Sequence, residues 1–416
     1  MKRFLTIIGP GLLVAATGIG AGDLATASFA GSALGTAVLW AALAGAFLKF
    51  VVTEGLARWQ LATGTTLLEG VIAHFGRAAG WLFLAYLLLW SFFVGSALMS
   101  ACGVALHALV PVFDEPGRGK VVFGILSSLA GIFLVLLGGY GLFEKVMKVA
   151  IALMFLVVVS TAVALWPGTG AVLEGLLVPA IPEGGLDWTL ALMGGVGGTV
   201  TVLCYGYWLR EENRGGQGAL QTSRIDLAAA YAVTALFGIA MVIIGSTVEI
   251  EGRGAGLLVT LSERLAETLG PVAGTLFLLG ALGAVFSSLL GVWQAVPYLF
   301  ADLWGQLLGT HGPGEAAGGS ALDDAVDTRS LPYRGYLAAL ALLPMAGLFH
   351  SFREVQKAYA IAGAWFLPVL ALALLFLNGR AGWVGPRYKS RPATQVVLLA
   401  TLAFFSWIGW RAMRQG

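Results

Sequence analysis

The sequence predicts an all-α integral membrane protein built from two five-span halves and one further span, and three observations carry that prediction. Hydrophobic residues make up 58% of the 416 residues and charged residues only 11%, a balance far too apolar for a water-soluble chain of this length. Eleven apolar runs, each on the order of 20 residues and so of bilayer length, follow one another with charged or turn-rich pieces between them. The first and sixth runs are both broken by glycines near their middle, and each heads a set of five, which is the pattern of an inverted repeat.

In order, the runs are Leu5–Ala30, Thr36–Gln60, Trp81–Val110, Val121–Leu137, Lys148–Trp166, Thr189–Leu209, Leu227–Val248, Pro271–Phe300, Tyr336–His350, Ala358–Leu377 and Thr394–Trp410. Repeat one then covers residues 5–166, repeat two 189–377, and the additional helix 394–410, all within a single transmembrane domain. Positive charge orients the spans. With the N-terminus cytoplasmic, 15 of the 24 Lys and Arg fall on the cytoplasmic side and six in the outer loops, a bias that places the C-terminus, with Arg411 and Arg414, outside. Met1-Lys2-Arg3 precedes an apolar run that continues through Asp23, so it reads as a first span rather than a cleavable leader. Pro167 to Trp188 lacks Lys and Arg and reads as an external loop with room for a short surface helix, while Gly312 to Pro332, with Asp323, Asp324 and Asp327, reads as a flexible cytoplasmic linker. Cys102 and Cys204 both lie in apolar runs and suggest no disulfide framework.

The broken spans are where chemistry is expected. Gly9 to Gly35, GPGLLVAATGIGAGDLATASFAGSALG, is interrupted by Gly20-Ala21-Gly22 and followed at once by Asp23. Glycine costs about 1 kcal/mol against alanine inside a helix, and a carboxylate at mid-bilayer costs roughly 2.5–3.5 kcal/mol. A discontinuous helix accounts for both, because unwound backbone exposes carbonyls and amides to an ion or solute beside the carboxylate. A close helix crossing over small residues, with Asp23 hydrogen-bonded to a neighbour, is the structural alternative. The sixth span repeats the peculiarity at Gly194-Gly195-Val196-Gly197-Gly198-Thr199-Val200-Thr201.

The first span resembles that of the Nramp family of divalent metal transporters without a gap. ARWQLATGTTLLEG from Ala57, GYGLFEKV from Gly139, GGTVTVLCYGYWLR from Gly197 and FLPVLALALLFLNGR from Phe366 extend the likeness over nearly the whole chain. The resemblance implies a LeuT-type fold of five plus five inverted helices with one extra, in which helices one and six are discontinuous. It also implies a divalent metal ion as cargo, bound between those two helices.

The site departs from the family pattern. The family's Asp-Pro-Gly-Asn falls here on Gly20-Ala21-Gly22-Asp23, so the first ligand is lost and the second has become Asp. The family's Ala, Met and His on span six fall on Gly198, Thr201 and Leu203, and the tenth-span Gln on Ala360. What carries over is Asp23 and Thr201 as metal ligands, with main-chain carbonyls near Gly20 and Gly198. The family's third-span carboxylates have no counterpart between Glu69 and Asp114, which predicts transport without strict proton coupling. His107, Glu54 and Lys49 are the remaining relay or gating candidates. His107 also fits a hydrogen-bonded structural histidine, and Lys49 and Glu54 fit pairing with each other or snorkelling to the interface.

These readings predict a secondary transporter of the cell membrane that moves a hard divalent cation by alternating access. An all-oxygen site suits Mg²⁺ or Mn²⁺, and the family's branch of magnesium carriers favours the former. A LeuT-type carrier of a monovalent cation or small organic solute, and a transport-inactive receptor, are the alternatives. An enzyme is disfavoured because His74, His107, His311 and His350 are scattered and form no catalytic motif. Nothing suggests a cofactor, a nucleic acid or an obligate protein partner. The partners expected are the divalent ion and the lipid bilayer.

Overall fold

The computed structural model describes residues 11, 20, 22–211, 218–249, 254–309 and 327–415 of the chain. The first half of span one apart from Gly11 and Gly20, and the Gly312 to Pro332 linker up to residue 326, lie outside the described residues. The described structure is helical, as the composition predicts.

Span one is described from Gly20, which forms a turn. A π-helical turn, Gly22–Thr26, follows and leads into α1, Ala27–Leu34. The wide π turn marks the expected interruption directly at Asp23. A 3-10 turn, Gly35–Val38, joins α1 to α2, Leu39–Thr63, which Gly64 closes in the left-handed conformation. Thr66 and Glu69 then form a capping box that opens α3, Leu67–Phe75. Span three is α4, Arg77–Leu109.

Spans four and five were expected as separate runs, yet they lie in one continuous helix, α5, Pro116–Ala164. Its 49 residues amount to roughly 70 Å at about 1.5 Å per residue, more than twice the hydrocarbon thickness of ~30 Å. The expected connection, residues 138–147, contains glycines but no proline, and a glycine's cost of about 1 kcal/mol does not by itself end a helix. A bend of 118° separates the end of α5 from α6, Thr169–Leu177, the short helix expected in the external loop.

Span six is discontinuous. It comprises α7, Leu186–Gly195, an unwound stretch, a 3-10 turn at Val200–Cys204, and α8, Tyr205–Glu211. Span seven is α9, Ala219–Gly245, after which α10, Leu257–Leu269, precedes the eighth span, α11, Pro271–Leu308. Span nine is short: α12, Leu331–Leu342, tightens into a 3-10 segment, Leu343–Phe349, at Pro344. Ser351 then caps α13, Phe352–Gly379, and α14, Ala381–Tyr388, kinks at Gly385 before α15, Pro392–Gln415.

Seven helices among the described residues are long and apolar enough to cross a membrane, or eight if the bent pair of Phe155–Ala164 and Thr169–Leu177 counts as one span. The difference from eleven arises at named places. Half of span one is outside the described residues, spans four and five share α5, span nine is interrupted by Pro344, and the apolar part of α15, Pro392–Ile408, is short.

Broken span six is the centre of the molecule. Every residue from Trp188 to Leu209 is buried, with α13 packed along α7 and α9 packed against both α1 and α2. Peripheral helices instead expose apolar side chains such as Leu82, Leu137, Leu156 and Val163, as lipid-facing surfaces do.

Candidate functional site at the paired helix breaks

Backbone chemistry explains the break in span six. Gly197 and Gly198 adopt φ of 79° and 81°, in the left-handed region that side chains disfavour, so the helix ends at Gly195. Gly194 presses on α13 so closely that a Cβ there would lie 2.3 Å from the Ala360 carbonyl oxygen. The α7 terminus therefore packs against span ten at Ala360. The last carbonyls of α7 lose their helical donors, and the terminus carries the negative end of the helix dipole.

Two buried charges from other helices meet these freed groups. Asp23, fully buried in the π turn, accepts the Gly197 N–H at 3.2 Å and 3.3 Å through its two carboxylate oxygens. Lys49, 1% exposed in the middle of α2, donates from Nζ to the Gly194 carbonyl at 2.7 Å and to the Val196 carbonyl. Asp23 and Lys49 are thus anchored within one four-residue stretch, residues 194–197. Tyr231, buried in α9, shares a 2.8 Å hydrogen bond with Thr53 of α2.

The other expected ligands lie on the same two spans. Gly20 packs where a Cβ would overlap Ser288 of α11, and its carbonyl accepts the Leu24 N–H at 2.8 Å, leaving its second lone pair. Thr201 is buried in the 3-10 turn just beyond Gly198. Thr26, which the sequence did not single out, sits in the Asp23 π turn with a buried hydroxyl that has no hydrogen-bond partner. Its signal was present as a hydroxyl three positions after the carboxylate. No group of three or more His, Cys, Asp or Glu side chains able to hold a metal occurs among the described residues. The oxygen set is one carboxylate, hydroxyls and main chain.

The relay candidates separate. Glu54 does not pair with Lys49. It binds Arg58 Nη2 at 2.6 Å and Arg224 Nε at 2.7 Å, tying α2 to α9, and Arg58 also reaches the carbonyls of Tyr388 and Lys389. His107 lies buried in the last turn of α4 against Gly119, with Nδ1 unpartnered, and is not joined to the helix breaks. Asp226, in α9, is fully buried. It accepts the Gly11 N–H at 2.8 Å and the Tyr205 hydroxyl at 3.2 Å, linking spans one, six and seven. On the side of Asp23 towards α1, Phe29 packs against Trp188 and Phe352, with Arg353 stacked over Phe29 and Trp188.

A bundle with two broken helices face to face around a buried carboxylate defines a LeuT-type membrane protein. Solved structures share this architecture. A mutant of the Eremococcus coleocola manganese transporter superposes with a TM-score of 0.71 at 17% identity, covering 97% of this chain and 85% of that one. MhsT in complex with L-phenylalanine gives a TM-score of 0.60 at 17% identity, covering 94% and 95%. The sequence profile described as Natural resistance-associated macrophage protein-like, Nramp, matches residues 11–413, and the chain belongs to that family. Among its relatives, the divalent metal cation transporter MntH of Chromohalobacter salexigens is 29% identical over 197 residues, which span 46% of this chain but only 43% of that protein. MntH of Erwinia tasmaniensis is 25% identical over 306 residues, covering 69% and 70%.

Proposed function

We propose that the protein carries a divalent cation across the cell membrane by alternating access, binding it at Asp23 between the broken helices. The observation that carries this reading is a fully buried carboxylate at one helix break, fixed on the backbone of the other. Asp23 and Thr201 supply side-chain oxygen, and main chain near Gly20 and Gly198 completes the shell with water. Such hard ligands favour Mg²⁺ or Mn²⁺ over softer late transition metals, which the family's methionine would attract. Membership in a family whose relatives are named divalent metal cation transporters supports the cargo class. Without third-span carboxylates, cation movement is not obligatorily tied to protons. The N-terminus is cytoplasmic and the C-terminus external, with repeats at 5–166 and 189–377 and the extra helix at 394–410.

One observation favours a second reading. Lys49 Nζ binds the carbonyls of the same helix-six break whose Gly197 N–H Asp23 accepts, and a built-in cationic group there suits a monovalent cation or a small organic solute. Purified protein in liposomes, tested for uptake of Mg²⁺, Ca²⁺, Mn²⁺, Na⁺ and amino acids, separates the two. Saturable uptake of a divalent ion supports the first. Uptake restricted to Na⁺ or an amino acid replaces it.

A further inference from the structure

We infer that Lys49 is the resident counter-charge of the transport site, a tethered ammonium that balances Asp23 when the carrier is empty. This rests on the reading of Asp23 as the cation's carboxylate ligand. A lysine buried to 1% exposure in the middle of an apolar helix has to be compensated. Here the compensation is not its neighbour Glu54, which is held by Arg58 and Arg224. It is the main chain of the helix-six break, where Nζ donates to the carbonyls of Gly194 and Val196. Carbonyls at an unwound C-terminal helix end are the ligand type that discontinuous helices offer to transported cations. The ammonium is thus fixed to the same Val196–Gly197 peptide whose N–H Asp23 accepts, on the opposite edge of that peptide.

Two consequences follow from charge alone. An arriving divalent ion meets a like charge, so its affinity is lower than one carboxylate and several oxygens would otherwise give. An empty carrier with Asp23 unbalanced would have to bury a lone carboxylate throughout its return, which is strongly disfavoured. Lys49 supplies the balancing charge from within, so the empty carrier can return and net uptake proceeds without a second ion.

Three substitutions test this in liposomes, reading equilibrium binding of Mg²⁺ and Mn²⁺, net uptake, and cation-for-cation exchange. Lys49→Met removes charge and donors. Lys49→Gln removes the charge but keeps N–H groups for the two carbonyls, and Lys49→Arg keeps both. Met and Gln are expected to bind the cation about tenfold tighter or more, to lose most net uptake and to keep exchange, with Arg close to the parent. Unchanged or weaker binding in the Gln variant, or net uptake equal to the parent's in a variant without the charge, overturns the inference. If the parent itself neither binds nor transports any divalent ion of the panel, the underlying reading of the site fails instead.

Discussion

At the scale of single residues, the chemistry rests on a few buried polar groups whose environments differ sharply. Thr201 is proposed as a ligand of the cation, and a hydroxyl is a hard one. Thr201→Met is expected to weaken Mg²⁺ binding and to admit Cd²⁺ through its sulfur, checked by competition of the two ions in a binding titration. Asp226 is a carboxylate of another kind, with its hydrogen bonds already supplied by Gly11 and Tyr205. Asp226→Ala leaves both donors without that acceptor, so it should cost roughly 1–3 kcal/mol of stability, read as earlier thermal unfolding in detergent. The sequence made Asp23 legible because a carboxylate following three small residues in an apolar span has few structural excuses. It did not make Asp226 or the Lys49 contacts legible. Both depend on segments about 145 to 215 residues away in the chain, and no local pattern encodes which distant backbone group a buried side chain will meet.

At the scale of elements, the span-six break is a backbone device. Gly197 holds a left-handed φ and presents the N–H that Asp23 accepts, and a Cβ there would lie 3.1 Å from the Tyr231 ring. Gly197→Ala is therefore expected to cost about 1–2 kcal/mol from the backbone alone and to weaken cation binding by shifting that N–H. Gly170→Ala, on a helix where nothing lies within 4 Å of the added carbon, is the control and should leave both stability and binding unchanged. Both breaks were readable from glycine runs inside apolar segments. The fusion of spans four and five into α5 was not, because residues 138–147 look like a connection by their glycines and charges while containing no residue that stops a helix.

At the scale of the whole molecule, the bundle places its interrupted backbone at the centre and seals it there, since residues 188–209 are all buried. Topology follows from the charge bias. In a background with Cys102 and Cys204 replaced by alanine, single cysteines at Glu174 and Lys389, both exposed, should react with impermeant reagents from opposite faces of the membrane. Labelling of both from one face contradicts the expected orientation. Fold class and family were readable from composition, span spacing and extended sequence likeness, because apolar length and glycine breaks are themselves the constraints a bilayer imposes. The span count was less so, since apolar runs do not say whether a helix continues through a charged patch.

The central claim is that Asp23 is the charged ligand of the transported cation, and Asp23→Asn tests it most directly because it preserves shape and removes only the charge. Equilibrium titration of the purified variant with Mg²⁺ and Mn²⁺, alongside its thermal unfolding, is the measurement. The account predicts binding abolished or severely weakened in a protein that still folds, with a lower unfolding temperature because the buried Lys49 ammonium loses its balancing charge. Binding as tight as the parent's in a folded Asp23→Asn protein would contradict it and move the cation site away from the paired helix breaks.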